Sequence, residues 1–193
     1  MRSFIKYCFM VLIAALLGAG SAFYWLLKPP FDPSWVRNGA WKTNLLAGSE
    51  RSGMYDRARV ALAGLFALKR SETLYYIADV DDNGKPLRSE RCYRVEGRNL
   101  DSRWWSITVY GQTYFLIPND QKRYSFNKNN VSRDADGRFR IHLSSMPKGK
   151  NWIPTGGTPQ NLHLNLRLYN PSVGVSENPG EAVLPRIIRE ECR

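Results

Sequence analysis

The chain has 193 residues, among them 6 Trp, 10 Tyr, 8 Phe, 15 Gly and 11 Pro, and a net charge of +11. That length suits one ordinary domain and leaves no room for a second full one. The aromatic content excludes a disordered tail, and the Gly and Pro content marks a compact, turn-rich, β-rich body.

Residues 7–27, YCFMVLIAALLGAGSAFYWLL, carry no charge and are long enough to cross a bilayer as a helix. Arg2 and Lys6 precede the run and Lys28 follows it, so the positive-inside rule places residues 1–6 in the cytoplasm. Gly20-Ser21-Ala22 loosely fits the small-x-small pattern of a signal-peptidase site, which makes cleavage the competing reading. The apolar run continues past it through Phe23, Tyr24, Trp25, Leu26 and Leu27, and an aromatic pair at the end of a span suits a membrane interface. A retained anchor in the bacterial inner membrane is therefore the primary reading, with a linker over 28–34 (KPPFDP and Ser34) and a periplasmic domain over 35–193. Cys8 comes before the apolar core of the span, so it is not a lipoprotein cysteine.

Even without Arg2, Lys6 and Lys28 the exported part is basic. Such a field favours anionic partners: lipid headgroups, lipopolysaccharide or acidic glycans outside the membrane, and nucleic acid only in the compartment this chain does not face. The competing explanation is that basic residues merely solubilise the surface. With Cys8 in the span, Cys92 and Cys192 are left in an oxidising compartment. A disulfide between them would close a loop of about 100 residues, for which chain entropy suggests roughly 4 to 5 kcal/mol. Two unpaired thiols are the alternative.

Over residues 52–70, Tyr55, Ala58, Leu62, Leu65 and Phe66 fall on one helical face while Arg57 and Arg59 lie elsewhere, which predicts one amphipathic helix packed against a sheet. The period then changes to two. TLYYIADV, RCYRVEG, WWSITVYG, YFLIP, RYSFN, FRIHLSS and LHLNLRLYN read as strands, separated by DDNG, DADG, PND and other Gly/Pro-rich turns. In the last strand Leu162, Leu164, Leu166 and Leu168 point inward and His163, Asn165, Arg167 and Tyr169 outward. The expected fold is mainly β: an antiparallel sandwich or jelly-roll-like domain with one amphipathic helix, preceded by the membrane helix.

DVDDNGKPLRSE (79–90) matches the EF-hand pattern literally, with Asp79, Asp81, Asn83 and Glu90 as potential oxygen ligands. Its flanks read as strands, however, and a hairpin turn explains the same Asp, Asn and Gly by local hydrogen bonding, so calcium is a weak candidate. His142 and His163 are isolated and no cysteine pair has ligand spacing, which gives zinc no support. Nucleophile-elbow, phosphate-loop and dinucleotide motifs are absent. No catalytic residue, metal or cofactor is nominated.

The remaining chemistry-bearing set is Arg103, Trp104, Tyr110, Arg123, Tyr124, Asn151, Trp152, Arg167 and Tyr169. If Trp105, Ile107 and Val109 face the core, then Trp104, Ser106, Thr108 and Tyr110 share the other face, where ring stacking and hydroxyl contacts suit a sugar or lipid headgroup. The competing explanation covers both faces, leaving the rings to packing.

NGAW, YDRARVALAGLFAL, SETLYY, DDNGKPL, RWWSITVYG, FLIPND, RYSFN, DADGRFRI, NWIPTGG, LRLYNP and LPRI, ahead of Cys192, together resemble the bacterial family called domain of unknown function 1214 in its short, membrane-anchored form. The resemblance covers nearly the whole exported part. It implies a β-sandwich-like domain and no reaction or catalytic residues.

The primary functional reading is a non-catalytic envelope protein whose basic β-domain binds an anionic glycan, lipid or protein partner. A hydrolase-type enzyme gathering carboxylates in a cleft is one alternative, and a structural subunit of a membrane assembly is another.

Overall fold

The computed structural model describes residues 2–27, 34–62 and 68–192. In chain order the elements are α1 (Arg2–Leu27), β1 (Trp35–Asn38), β2 (Trp41–Asn44), α2 (Met54–Leu62), β3 (Thr73–Ala78), β4 (Cys92–Gly97) and β5 (Ser102–Tyr110), followed by β6 (Ser125–Asn127), β7 (Phe139–Ser144), β8 (Trp152–Pro154), β9 (His163–Pro171), α3 (Val173–Glu177) and β10 (Arg186–Glu190). The linker expected over 28–34 falls, except for Ser34, outside the described residues, as do Leu65 and Phe66 of the expected helix.

The strands form two sheets, one six-stranded in the order β1-β2-β3-β9-β5-β6 and one four-stranded in the order β10-β4-β7-β8. Among the described residues no closed barrel forms, and every strand pairing is antiparallel except β7 with β8, which run parallel. The mainly β expectation holds, and the period-two pattern is the reason: one face of each strand is apolar and is buried against the other sheet.

Trp105, Ile107 and Val109 of β5 are buried together with Leu164, Leu166 and Leu168 of β9 and Leu74, Tyr76 and Ala78 of β3. They join Val95, Phe139, Ile141 and Leu143 of the four-stranded sheet in one core. The Trp105 and Phe139 rings meet across the sheets with centroids 4.8 Å apart. Gly97 shows how tightly the layers close: a Cβ there would sit 2.9 Å from Phe139 Cζ. Each large side chain buried in this way contributes about 1.5–3 kcal/mol.

The segment after α3 seals one end of the core. Trp41 Nε1 donates to the Pro185 carbonyl at 2.7 Å, Tyr76 OH to the Pro179 carbonyl at 2.9 Å and Asn38 Nδ2 to the Ala182 carbonyl at 2.7 Å. A disulfide joins Cys92 at the start of β4 to Cys192 just after β10, with Cα atoms 5.3 Å apart.

Two local expectations are corrected and one hairpin is added. YFLIP is a turn in place of a strand: Gly111 N–H bonds to the Phe115 carbonyl at 2.9 Å, Tyr114 adopts φ 60°, and a single bridge from Leu116 to Tyr110 is all the pairing it makes. The β1–β2 hairpin went unread although its Gly39-Ala40 loop, with Gly39 at φ +61°, is a two-residue turn of the expected chemistry. Finally, α2 ends at Leu62 among the described residues, and none of its described side chains is buried. Tyr55, placed inward by the helical pattern, is 41% exposed, and α2 touches α1. Ala58 and Ala61 offer little apolar area to a sheet.

Within α1, Ser3–Leu26 is long and apolar enough to cross a membrane, and a signal sequence meets the same measure.

Candidate functional site

The outward face of the six-stranded sheet is set by the alternation that buries the leucines of β9. Register places Thr73, Tyr169 and Trp104 in one row, then Tyr75, Arg167, Ser106 and Asn127, then Lys42, Ile77, Asn165, Thr108 and Ser125, then His163 and Tyr110. Four of the residues singled out from the sequence therefore share this face: Trp104, Tyr110, Arg167 and Tyr169.

Their geometry is specific. The Trp104 and Tyr169 rings meet edge to face with centroids 5.3 Å apart. Arg167 donates from Nη1 to Thr108 Oγ1 at 3.2 Å and from Nη2 to Tyr110 OH at 2.9 Å, with its guanidinium 5.9 Å from the Tyr110 ring centre. These bonds fix the guanidinium and leave further N–H donors for an incoming acceptor. Beside it, Asn165 is only 7% exposed, yet its Oδ1 accepts no hydrogen bond among the described residues. An unsatisfied buried acceptor costs about 1–3 kcal/mol.

At the end of this face lies a group that sequence reasoning did not assemble. His163 Nδ1 bonds to Asp79 Oδ1 at 2.6 Å, Lys42 Nζ pairs with Asp79 Oδ2, and the Tyr114 ring stacks on the imidazole at 4.2 Å. Burial by itself would raise the Asp79 carboxyl, but the bonds from His163 and Lys42 outweigh it and hold the carboxyl down at about 2. Asp79 is therefore ionised and only accepts, so His163 carries its proton on Nδ1. Burial, helped by the Asp79 charge, pushes the Tyr114 hydroxyl up. The outward position of His163 was a signal for this group. Asp79 lies 84 residues away and is brought in only by the β3–β9 register.

The other singled-out residues lie elsewhere. Arg103 is exposed on the opposite side of β5 from Trp104. Arg123 reaches the Trp152 carbonyl at 3.4 Å and sits 5.9 Å from the Phe126 ring centre, and Tyr124 is half-buried with its carbonyl bonded by Val109 N–H. Asn151 is buried and fully used, donating to the Ser132 and Arg140 carbonyls and accepting from Ser132 N–H. Trp152 is buried with Nε1 on the Ser144 carbonyl at 3.0 Å.

Asp79, Asp81, Asn83 and Glu90 do not converge. Asp81 Oδ1 accepts from the backbone N–H groups of Asn83 and Lys85, both at 2.9 Å, Glu90 pairs with Arg88, and Gly84 at φ +73° completes a tight turn. Among the described residues no group of three or more His, Cys, Asp or Glu side chains is gathered to hold a metal.

The outward face of the four-stranded sheet is different again. Glu190 is met by Arg94 at 3.0 Å, Lys148 at 3.1 Å and His142 at 3.4 Å, while Arg94 also reaches Glu96 at 3.0 Å. Burial holds the His142 imidazole below its ordinary value, against the pull of Glu190.

These features define a two-sheet β-sandwich with one polar, aromatic-edged outer face. The family described as protein of unknown function (DUF1214) matches residues 72–173, more than half of the chain, and the protein belongs to it. Among solved structures it is similar to the VPA0106 protein from Vibrio parahaemolyticus, with 24% identity and a TM-score of 0.60 over 73% of this chain and 36% of that one. An uncharacterised protein from Burkholderia cenocepacia is similar at 19% identity and a TM-score of 0.40, over 63% of this chain and 31% of that one. The chain thus spans about a third of the length of each. No curated protein matches the sequence.

Proposed function

We propose that this protein is a membrane-anchored, non-catalytic envelope protein whose β-sandwich faces the periplasm and binds an anionic carbohydrate on the outer face of the six-stranded sheet. The carrying observation is a guanidinium, Arg167, that is braced by the Thr108 and Tyr110 hydroxyls and matched by no carboxylate among the described residues. A carboxylate or phosphate on the sugar meets Arg167. The Trp104–Tyr169 edge gives the apolar face of the ring a place to stack. The basic balance of the chain raises the local concentration of such ligands.

The test is binding of the full chain in detergent to a uronic-acid polymer and to a neutral glucan at low and moderate salt. Binding to the acidic polymer that weakens with salt and falls at least tenfold in Arg167→Ala is the expected result. Equal binding to both polymers would sink the reading.

One observation favours the hydrolase alternative. With Nδ1 committed to an ionised Asp79, His163 keeps Nε2 as a general-base nitrogen oriented by a carboxylate. Turnover of acidic glycans that vanishes in His163→Gln while binding survives would favour this alternative over simple binding.

A further inference from the structure

A second cleft, of about 700 Å³, lies outside this face, walled by Leu45, Leu46 and Arg51 on one side, Lys69 to Ser71 on another and Glu177 of α3 on a third. Its place in the fold decides what it meets. The starts of β1 and β3 and the ends of β2 and β9 all lie at one end of the six-stranded sheet, because Trp35 pairs with Asn44 and Thr73 with Tyr169. The cleft is built from the loops at that end, and Leu45 N–H bonds directly to the Ser34 carbonyl at 2.8 Å. Ser34 is seven residues beyond Leu27, so the cleft lies within about 25 Å of the end of α1 even with the chain fully extended. If α1 spans the bilayer, this end of the sandwich faces its surface.

The chemistry of the cleft suits that surface. Lys69 is paired with Glu50 at 3.4 Å, whereas Arg51 and Arg70 form no side-chain ion pair among the described residues. Two unpaired guanidinium groups therefore flank half-buried Leu45 and Leu46. Close by in the chain, Trp35 next to Ser34, Met54 and Tyr55 after Arg51, and Leu68 before Lys69 are 40%, 79%, 41% and 44% exposed. Arginines beside exposed Trp, Tyr and aliphatic side chains are the composition of a protein surface that rests on lipid headgroups.

We infer that this cleft seats the headgroup of an anionic phospholipid from the membrane that holds α1, with Arg51 and Arg70 meeting the phosphate and Leu45 and Leu46 the glycerol and upper acyl chain. This inference rests on α1 being a retained anchor, part of the function proposed above, and is independent of the carbohydrate face.

The experiment embeds the full chain in nanodiscs of mixed phosphatidylglycerol and phosphatidylcholine and reads co-retained lipid by native mass spectrometry. Arg51→Gln/Arg70→Gln is compared with the charge-matched control Arg91→Gln/Arg98→Gln. Selective retention of phosphatidylglycerol that drops about tenfold or more in the first variant and is unchanged in the control is the expected result, each basic residue near a membrane surface being worth about fivefold. Equal retention of both lipids, or equal loss in the two double variants, would overturn the assignment. Displacement of phosphatidylglycerol by millimolar inorganic phosphate would overturn the lipid as the source of the anion. The intact mass read from the same spectra judges the anchor separately: loss of residues 1–22 would overturn it, and the two double variants would still decide the cleft.

Discussion

The two outward faces of the sandwich both carry polar side chains and use them in opposite ways. On the four-stranded sheet opposite charges are matched, with Glu190 at the centre of Arg94, Lys148 and His142, although Arg94 Nε and His142 Nδ1 make no hydrogen bond among the described residues. On the six-stranded sheet Arg167 is braced by neutral hydroxyls and Asn165 is left without a partner. A closed set of ion pairs holds strands together and offers a ligand little, because any newcomer must first displace a charge. A braced cation that no carboxylate matches keeps its capacity for a ligand. The lesson is that exposure and charge alone do not separate the faces; whether a cation is already matched by a carboxylate does.

If the four-stranded face is structural, its variants lose stability. The largest effect is expected in Cys192→Ser, which removes the covalent tie between β4 and the segment after β10: chain entropy for a loop of this length puts the loss at about 4 kcal/mol, read as a lower midpoint in denaturant. Glu190→Gln comes next, at about 2 kcal/mol, because it leaves Arg94 and Lys148 short of a charge-assisted partner, and it should leave carbohydrate binding intact. Loss of binding in that variant would break the contrast between the faces.

On the other face the Asp79 group adds a pH signature. Its carboxyl titrates at about 2 in the folded protein against an ordinary 3.8, so the unfolded chain binds more protons between those values. The stabilisation is complete above about pH 4 and disappears as the pH falls towards 2, amounting to about 2 kcal/mol. Asp79→Asn should be less stable at neutral pH and lack this acid limb in urea titrations. The smallest effect is expected in Trp104→Ala, which gives up a ring contact worth about 1 kcal/mol, leaves the fold intact and weakens the acidic polymer. Unfolding of that variant would return Trp104 to a packing role.

Much of this contrast was legible in the sequence. Period two sorted Trp105 from Trp104 and the leucines of β9 from His163, Asn165, Arg167 and Tyr169, so the composition of the outward face could be read along each strand. What a single strand cannot carry is register: the meeting of His163 with Asp79 and the placement of Asn165 between Ile77 and Thr108 depend on how β9 aligns with β3 and β5. Asn151 and Trp152 were misleading for a related reason. Their polar groups are consumed by backbone carbonyls of residues far from them in sequence, which composition does not reveal. YFLIP has the composition of a strand, but the left-handed backbone at Tyr114 turns it back on Gly111.

The position of β9 sets the order in which the sandwich is assembled. It lies between β3 and β5, which do not pair with each other, although both precede it by more than fifty residues in the chain. Until residues 163–171 arrive, β3 and β5 each keep a bare hydrogen-bonding edge and unburied Leu, Tyr and Trp side chains. Closure of the sheet is thus a long-range event of the kind that makes folding slow.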